Sequence, residues 1–360
     1  MIQTQIYKIL TINPGSTSTK IAVFENEVEI FSSSIEHSAA ELSKYKSVVE
    51  QYDFRKEAVL SFLEANNFSV SELSAIVARG GSLPPLQGGA YRVNKKMVDR
   101  LIHRPSSEHA SNIAAPIAYE IAASVGIPAY IYDAITVDEL QPIARISGMP
   151  VLPRVSMVHT LNMRAVARMT AAAYQKNYAD MNLIVAHMGG GITASLHQQG
   201  KMIDIVSDDE GPFSPERAGR VPCRPLIDLC YAGEYDFQTM RKMLRGYGGL
   251  TAYLGTNSAI EVQERIENGD EEAALIFEAM AYQIAKAIGE LATVVKGKVD
   301  AIALTGGLAH SKMLTGWVKE RVEFVAPVSI YPGENELESL ALGGLRVLRG
   351  EEPAHEYDLA

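Results

Sequence analysis

Four hydroxyl-bearing residues, a glycine and a lysine lie in one short turn near the start of the chain. Residues 13–20 read Asn-Pro-Gly-Ser-Thr-Ser-Thr-Lys and lie between two apolar segments. Gly15 lets the backbone approach a ligand closely because it has no side chain. Successive N–H groups in a tight turn bind anions, and Lys20 adds a positive charge. The stretch is typical of a phosphate-binding turn, or of an ordinary hairpin with a polar tip. It is not a P-loop, because that spacing is absent and a strand follows it.

Two further glycine turns follow apolar segments. Residues 187–191 read His-Met-Gly-Gly-Gly, and residues 305–307 read Thr-Gly-Gly. Consecutive glycines are costly in conformational entropy, so a close approach of the backbone to a ligand is expected. His187 can donate a hydrogen bond to a phosphoryl oxygen, or it is a structural histidine. The turn at 305–307 can lie flat against an adenine or a ribose, or it is a plain strand-to-helix turn.

Charged residues are expected at two other strand ends, where sites gather in α/β proteins. Arg79 precedes Gly-Gly and can bind a carboxylate or a phosphate with two hydrogen bonds. Asp133 follows an apolar segment and can hold Mg²⁺, usually through water. The polar loop at 208–220 contains acidic and basic residues and is either part of a site or a solvated surface loop.

The elements that must position these residues occur twice. Each half begins with a strand, a glycine-bearing polar turn, a strand, a short turn and a strand. The predicted strands are 8–13, 19–24 and 28–34, and then 183–186, 192–197 and 202–206. A second landmark, a strand leading into Gly-Gly, follows at 74–81 and again at 300–307. Matching landmarks in the same order predict a duplicated α/β domain, with mixed, partly parallel sheets and two similar lobes facing each other across a cleft.

Composition narrows the class of protein. A chain of 360 residues suggests two domains, and its net charge of −10 argues against a nucleic-acid-binding surface. Cys223 and Cys230 fit neither a disulfide framework nor a zinc site and are expected to be reduced, partly buried thiols. No signal peptide is evident, and the apolar stretch 273–295 carries charges typical of an amphipathic helix rather than a membrane span. A cytoplasmic protein without a membrane partner is therefore expected.

Taken together, these motifs resemble those of the acetate and butyrate kinase family. The stretches 13–20 and 187–192 resemble its phosphate motifs, and the likeness extends over nearly the whole chain. Three further stretches are similar to the butyrate kinase branch in particular: V-A-R-G-G at 77–81, E-G-P-F-S-P-E-R-A-G at 210–219 and A-L-T-G-G at 303–307. That family belongs to the superfamily of actin, the 70-kDa heat-shock chaperones and sugar kinases.

The resemblance implies two ribonuclease-H-like, actin-like ATPase lobes that close over a nucleotide. It implies transfer of a phosphoryl group between ATP and a short-chain carboxylate such as butyrate, with Mg²⁺, giving ADP and an acyl phosphate. In fermentation such enzymes commonly run toward ATP. The N-terminal domain would consist of residues 1–150 and about 336–360 and would form the carboxylate and phosphate side of the site. The C-terminal domain, residues 151–335, would form the nucleotide side. A homodimer or larger homo-oligomer is expected.

The resemblance also implies roles for individual residues. The phosphate- and nucleotide-binding set is Asn13, Ser16, Ser18, Lys20, Gly189, Gly190, Gly306 and Gly307. The catalytic set is Arg79, Asp133, His187 and Arg217. Arg220 and Arg224 remain alternatives to Arg217. The metal ligands would be Asp133 with Glu336, or with Glu338 in place of Glu336.

The residue inventory fits a carboxylate acceptor. A carboxylate is already ionised at neutral pH and needs no general base. Two like charges 4 Å apart repel by about 4 kcal/mol at an effective dielectric constant of about 20, so cationic and N–H donors are needed instead. A sugar kinase of the same fold would need an aspartate base, for which Asp133 is a candidate. A non-kinase ATP-binding protein is the remaining alternative.

Overall fold

The structure is a computed structural model that describes residues 5–359, and the chain divides into two units. The first unit contains the described residues up to Asp138 and those from Asn335 onward, and the second contains Glu139–Glu334. The C-terminal helix therefore belongs to the unit in which the chain begins. The predicted division of roles, carboxylate in one domain and nucleotide in the other, stays a prediction.

The elements are numbered in chain order. The strands are β1 Lys8–Pro14, β2 Ser18–Glu25, β3 Val28–Glu36, β4 Ala75–Arg79, β5 Ala90–Arg92, β6 Ala129–Tyr132, β7 Leu183–Met188, β8 Ile192–Gln198, β9 Lys201–Val206, β10 Ala301–Gly306, β11 Val328–Pro332 and β12 Ala354–Glu356. The helices are α1 Ala39–Leu42, α2 Tyr52–Ala65, α3 Lys95–His103, α4 Ala114–Val125, α5 Thr160–Ala173, α6 Cys223–Tyr231, α7 Phe237–Leu244, α8 Gly249–Leu254, α9 Ala259–Glu267, α10 Glu271–Val294, α11 Lys312–Val322 and α12 Glu336–Leu348.

The sheet of the first unit has the order β12-β5-β6-β4-β1-β2-β3. Strands β1, β2 and β3 form an antiparallel meander, and β4 and β6 continue the sheet parallel to β1. Strand β1 is buried along its length except at Lys8, as expected of an apolar strand covered on both faces. Helix α12 packs closely on this sheet because Gly343 and Gly344 have no side chains. A Cβ at either position would lie 2.4 Å from Tyr132 or Val77, respectively.

The sheet of the second unit has the order β11-β10-β7-β8-β9. Strands β7, β8 and β9 form the antiparallel meander, and β10 and β11 continue it in parallel. Helix α10 buries an apolar stripe with helical spacing against this sheet, including Phe277, Met280, Ile284 and Ile288. The buried residues of α5 pack in a separate cluster with β7 and β10.

The two sheets confirm the predicted repeat. In each, a three-stranded meander is followed by two strands parallel to its first strand, giving β3-β2-β1-β4-β6 and β9-β8-β7-β10-β11. The carboxyl ends of the parallel strands therefore lie at one edge of each sheet. Most predicted strands of these meanders end one or two residues early, because the residues that follow each apolar run still pair in the ladder.

Two sequence-based expectations concern the surface. The cysteines were expected to be partly buried, and this is wrong: Cys223 and Cys230 are exposed, because α6 buries none of its residues. Among residues 5–359, no helix is long and apolar enough to cross a membrane.

Candidate functional site

In the first unit, an ion pair lies where β1 and β4 end. Arg79 is the last residue of β4, and its Nη1 donates to Oε1 of Glu336, the first residue of α12. Asn13, near the end of β1, donates from Nδ2 to Oε2 of the same carboxylate at 2.5 Å. Both acidic candidates for the metal lay at this helix start; the structure brings Glu336 to the strand ends and leaves Glu338 exposed.

The electrostatics of this group favour an ionised Glu336. Burial by itself raises the pKa of Glu336, but the charge of Arg79, the hydrogen bonds from Arg79 and Asn13, and the charge of Lys20 together hold it below its usual range. Lys20 lies opposite Asn13 in the β1–β2 ladder and is exposed. Arg79 Nε is buried and donates no hydrogen bond to any residue that the structure describes. A donor therefore remains on this guanidinium for an incoming anion.

A cavity of about 230 Å³ adjoins this ion pair. It is lined by both ends of the 13–20 turn and by basic residues of other elements: Asn13, Gly15, Ser18, Lys20, Arg79 and His109. Ser16, which follows Gly15 in the chain, is exposed to solvent. His109 was not predicted. Its Nδ1 accepts the backbone N–H of Ser111 at 3.2 Å, so the ring carries its proton on Nε2 and can donate from there.

Asp133 lies at the carboxyl end of β6, one residue after the partner of Arg79 in the β4–β6 ladder. It is 1% exposed and has a φ of +40°, a conformation that few non-glycine residues adopt. Its Oδ1 accepts the N–H of Gly89 at 2.8 Å, and its own N–H donates to the Gly89 carbonyl at 3.1 Å. The carboxylate is therefore used, at least in part, to hold the loop at Gly89.

In the second unit, His187 lies near the carboxyl end of β7, opposite Thr305 of β10. Its ring is 2% exposed, and its Nδ1 lies 2.8 Å from Oδ1 of Asn162 on α5. The Asn162 amide nitrogen donates to the Glu334 carbonyl at 2.8 Å, which fixes the orientation of the amide. Nδ1 of His187 therefore carries a proton, and Nε2 is the nitrogen on the side of the Glu334 carboxylate, 3.9 Å away.

A second histidine that the sequence reasoning missed stacks on His187. The rings of His159 and His187 are 3.9 Å apart and inclined by 13°. His159 precedes α5, is partly exposed, and bonds through Nδ1 to the hydroxyl of Thr193 at 2.9 Å. No motif marks position 159 in the sequence, which explains why this histidine was not predicted. The more exposed of the two rings is therefore His159.

The glycine turns of this unit lie against both backbone and side chains of neighbouring segments. Gly306 has a φ of +90°, and a Cβ there would lie 2.4 Å from the carbonyl oxygen of Met188. A Cβ on Gly189 would lie 3.1 Å from Nε2 of His187. Gly190 accepts a hydrogen bond from the Ser214 hydroxyl at 2.6 Å. Among these glycines, Gly306 is therefore the one that a neighbouring backbone segment requires, whereas a Cβ on Gly307 would meet no atom within 4 Å.

Of the three candidate arginines, Arg217 is the one that the structure brings to a glycine turn. A Cβ on Gly191 would lie 2.3 Å from its Nη1, so the guanidinium packs on the backbone of that turn. Nη1 also pairs with Asp208, whose side chain is only 7% exposed. Arg220 instead pairs with Glu290, and Arg224 is exposed.

A cavity of about 220 Å³ in this unit contains both glycine turns. Its lining includes Gly189, Gly190, Glu216, Asn257, Gly307 and Glu334. Asn257 donates to Glu216 at 2.6 Å, and neither residue was predicted. A larger cavity of about 560 Å³ lies beside α10 and is lined by Arg220, Tyr282 and Lys286; of the predicted residues it contains only Arg220, one of the alternatives to Arg217. Most of the residues that the sequence predicted therefore gather at the strand ends and not at the cavity beside α10.

Comparison with known proteins gives a consistent result. Residues 154–326 match the model of the Acetokinase family. An acetate kinase from Porphyromonas gingivalis superposes with a TM-score of 0.76 at 18% identity, over 94% of this chain and 98% of that one. A propionate kinase from Francisella tularensis gives 0.74 at 16% identity, with the same coverage. A ROK family protein from Streptococcus pneumoniae, in complex with sucrose, gives 0.53 at 14% identity, over 96% of this chain and all of that one.

These likenesses confirm the predicted fold class, the mixed α/β fold of the actin-like ATPases. They do not distinguish the butyrate kinase branch. In the sequence of residues 154–326 and in the fold of nearly the whole chain, the protein is similar to the acetate kinase family.

Proposed function

We propose that the protein is a short-chain carboxylate kinase that transfers a phosphoryl group between ATP and a carboxylate, with butyrate as the preferred acid. The observation that carries the proposal is the anion site of the first unit. There, Arg79 keeps a buried donor that has no hydrogen-bond partner among residues 5–359, beside a cavity that Lys20 and His109 also line. The similarity of residues 154–326 to the Acetokinase family supports it.

In this proposal, the first unit binds the acceptor and one end of the phosphate chain. Arg79 binds the carboxylate of the acceptor. Glu336 accepts a hydrogen bond from Nη1 of Arg79 and so holds the guanidinium in place. Lys20 and the N–H groups of the turn that includes Ser16 and Ser18 offset the negative charge of the phosphoryl group. Because the acceptor is ionised, the site needs charge compensation and alignment rather than a general base.

The second unit binds the nucleotide and the transferring group. The turns at 189–191 and 306–307 present backbone to the ligand, with Gly189, Gly190 and Gly307 in the cavity lining. His159 donates toward the phosphoryl oxygens. His187, whose Nδ1 proton is donated to Asn162, supports that ring in the stack and would donate from Nε2 only when doubly protonated. Arg217, packed on the 189–191 turn, adds positive charge there.

Magnesium fits the donor set without a dedicated cage. No group of three or more His, Cys, Asp or Glu side chains within residues 5–359 is arranged to hold a metal. Mg²⁺ is commonly held by one or two carboxylates together with substrate phosphates and water. Asp133 and Glu336 are the carboxylates proposed to hold it, and each is fixed by hydrogen bonds from its neighbours. When bound, the ion would neutralise charge on the phosphates of ATP.

The sugar-kinase alternative is less well supported. It needs a carboxylate base that can reach a hydroxyl group, and Asp133 is the candidate. The match of residues 154–326 to the Acetokinase family favours a carboxylate acceptor over a sugar hydroxyl. Homo-oligomerisation also stays a proposal.

Trapping of acyl phosphate as hydroxamate tests the proposal. With MgATP and acids of two to five carbons, we expect signal with short fatty acids, highest with butyrate or a close relative. One methylene changes binding by about 1–3 kcal/mol, so neighbouring acids should react within roughly 10- to 200-fold of one another. Sugars and amino sugars serve as the control acceptors. ADP release with a sugar, and no hydroxamate with any acid, would overturn the proposal.

A further inference from the structure

A fully buried arginine lies directly behind the turn that begins at Gly15. Arg55 projects from α2 and is only 1% exposed. Its guanidinium donates to five acceptors: Gly15 O at 2.9 Å, Ser18 O at 2.8 Å and Thr19 Oγ1 at 3.1 Å from Nη1, Ser16 O at 3.1 Å from Nη2, and Gln51 Oε1 at 3.0 Å from Nε. Three of the five are backbone carbonyls of the one turn.

The charge of Arg55 is not balanced by an acid. No carboxylate within residues 5–359 forms an ion pair or a hydrogen bond with it, and burial, the one influence on its pKa, lowers it. Lysine and arginine are almost never fully buried without a partner of opposite charge. Arginine stays protonated even so. The turn therefore has a desolvated positive charge on one side, compensated only by the oxygens that it binds.

The same contacts orient the other side of the turn. A peptide unit is planar and trans, so the N–H of the next residue points away from the direction of each carbonyl. With the carbonyls of Gly15 and Ser16 directed at Arg55, the N–H groups of Ser16 and Thr17 point away from it. Neither N–H donates a hydrogen bond to any residue that the structure describes. Adjacent free N–H groups of this kind bind anions.

We propose that Arg55 is the positioning residue of this anion site. By holding the carbonyls on one side, it presents the N–H groups of Ser16 and Thr17 on the other, and its uncompensated charge strengthens their attraction for a phosphate of ATP. The inference rests on the function proposed above for the nature of the anion. The proposal assigns a role in anion binding to a residue that lies 35 or more positions after the turn in the chain.

A substitution at Gln51 can test the effect of the Arg55 charge separately from the hydrogen bonds by which Arg55 holds the turn. Its Oε1 accepts from Arg55 Nε, so Gln51→Glu puts a carboxylate where an amide oxygen lies, in nearly the same shape. Every hydrogen bond to the turn is kept, and an ion pair is added. If Arg55 were only a structural brace, this change would leave ATP affinity unaltered. If its charge matters, the change weakens ATP binding although the fold is no less stable.

The experiment measures ATP affinity by calorimetry and the thermal midpoint for four proteins. We expect Gln51→Glu to raise the Kd of ATP about fivefold or more at an unchanged or higher midpoint. Gln51→Met, which removes the acceptor but adds no charge, is the matched control and should stay within about twofold of wild type. Arg55→Lys, which keeps the charge but loses the fork, should raise the Kd about tenfold.

The outcomes separate the two proposals. Unchanged ATP affinity in folded Gln51→Glu would overturn the role of Arg55, and so would an equal loss in Gln51→Met. The experiment measures ATP binding and not turnover. Wild-type protein that binds ATP but forms no acyl phosphate would refute the proposed reaction, and the ATP affinities of the variants would still test the role of Arg55. Wild-type protein that does not bind ATP contradicts both.

Discussion

At the scale of single residues, two stacked histidines have different environments. His187 is 2% exposed and fixed by Asn162, whereas His159 lies over it and is partly exposed. A ring that donates to a substrate must have a nitrogen that substrate can reach, which favours His159 as the direct contact. His187 then supports the stack and lies beside the Gly189 backbone.

Replacement of each ring by glutamine tests this difference. We expect His159→Gln to lower kcat about 100-fold by removing one charge-stabilising donor, while the free energy of unfolding changes by no more than about 1 kcal/mol. His187→Gln should in addition destabilise the protein by about 1–3 kcal/mol, because a buried bond to Asn162 is disturbed. Hydroxamate kinetics and chemical denaturation provide the two measurements. Wild-type kcat in His159→Gln would show that the outer ring does not contact the phosphoryl group.

At the scale of elements, the turn after β10 depends on one glycine of an adjacent pair. Gly306 has a φ of +90° and lies against the backbone of Met188, whereas a Cβ on Gly307 would meet no atom within 4 Å. We expect Gly306→Ala to cost about 1–3 kcal/mol from backbone strain alone, with more from the clash. It should also weaken nucleotide binding, because the 187–190 segment must shift.

Gly307→Ala is the matched control for stability and should change the unfolding free energy by about 0.5 kcal/mol or less. Thermal denaturation of the two variants side by side gives the comparison. Equal midpoints would mean that the turn relaxes without strain, contrary to the close contact with Met188.

At the scale of the whole molecule, a buried histidine couples stability to pH. His197 of β8 is fully buried between the hydroxyls of Tyr178 and Ser195, each at 2.7 Å. Burial, and then the charges of Arg164 and Arg168, lower the pKa of His197 to about 3. In the unfolded chain the ring titrates near its usual pKa of about 6.5. Between these values the unfolded chain binds a proton that the folded chain does not, so stability falls as the pH is lowered.

The expected size of this effect is about 2 kcal/mol between pH 7.5 and pH 5, from about 1.4 kcal/mol for each pH unit below 6.5. Denaturant unfolding at a series of pH values measures it. His197→Gln, which keeps a polar side chain but does not titrate, should flatten the pH profile by that amount while lowering stability at neutral pH. The same slope in both proteins would assign the acid sensitivity to other groups.

Much of the fold follows from local patterns in the sequence. Apolar runs such as the one in β1, broken by glycine-bearing polar turns, predicted the strands and their repeat because strand periodicity and turn conformation depend on neighbouring residues. The same patterns put Arg79, Asp133 and His187 at strand ends. The sequence also named Glu336, which the structure places at the first residue of α12.

The partners of those residues depended on the tertiary structure. Glu336 is 323 residues from Asn13 and 257 from Arg79, and they meet only because α12 packs on the sheet that holds β1 and β4. Arg55 is another case, since nothing in the local pattern of α2 shows that its guanidinium lies behind the 15–18 turn. Local sequence determines which conformation a segment adopts. The long-range packing of elements decides which charges meet, because a buried charge is stable only where the fold supplies its partners.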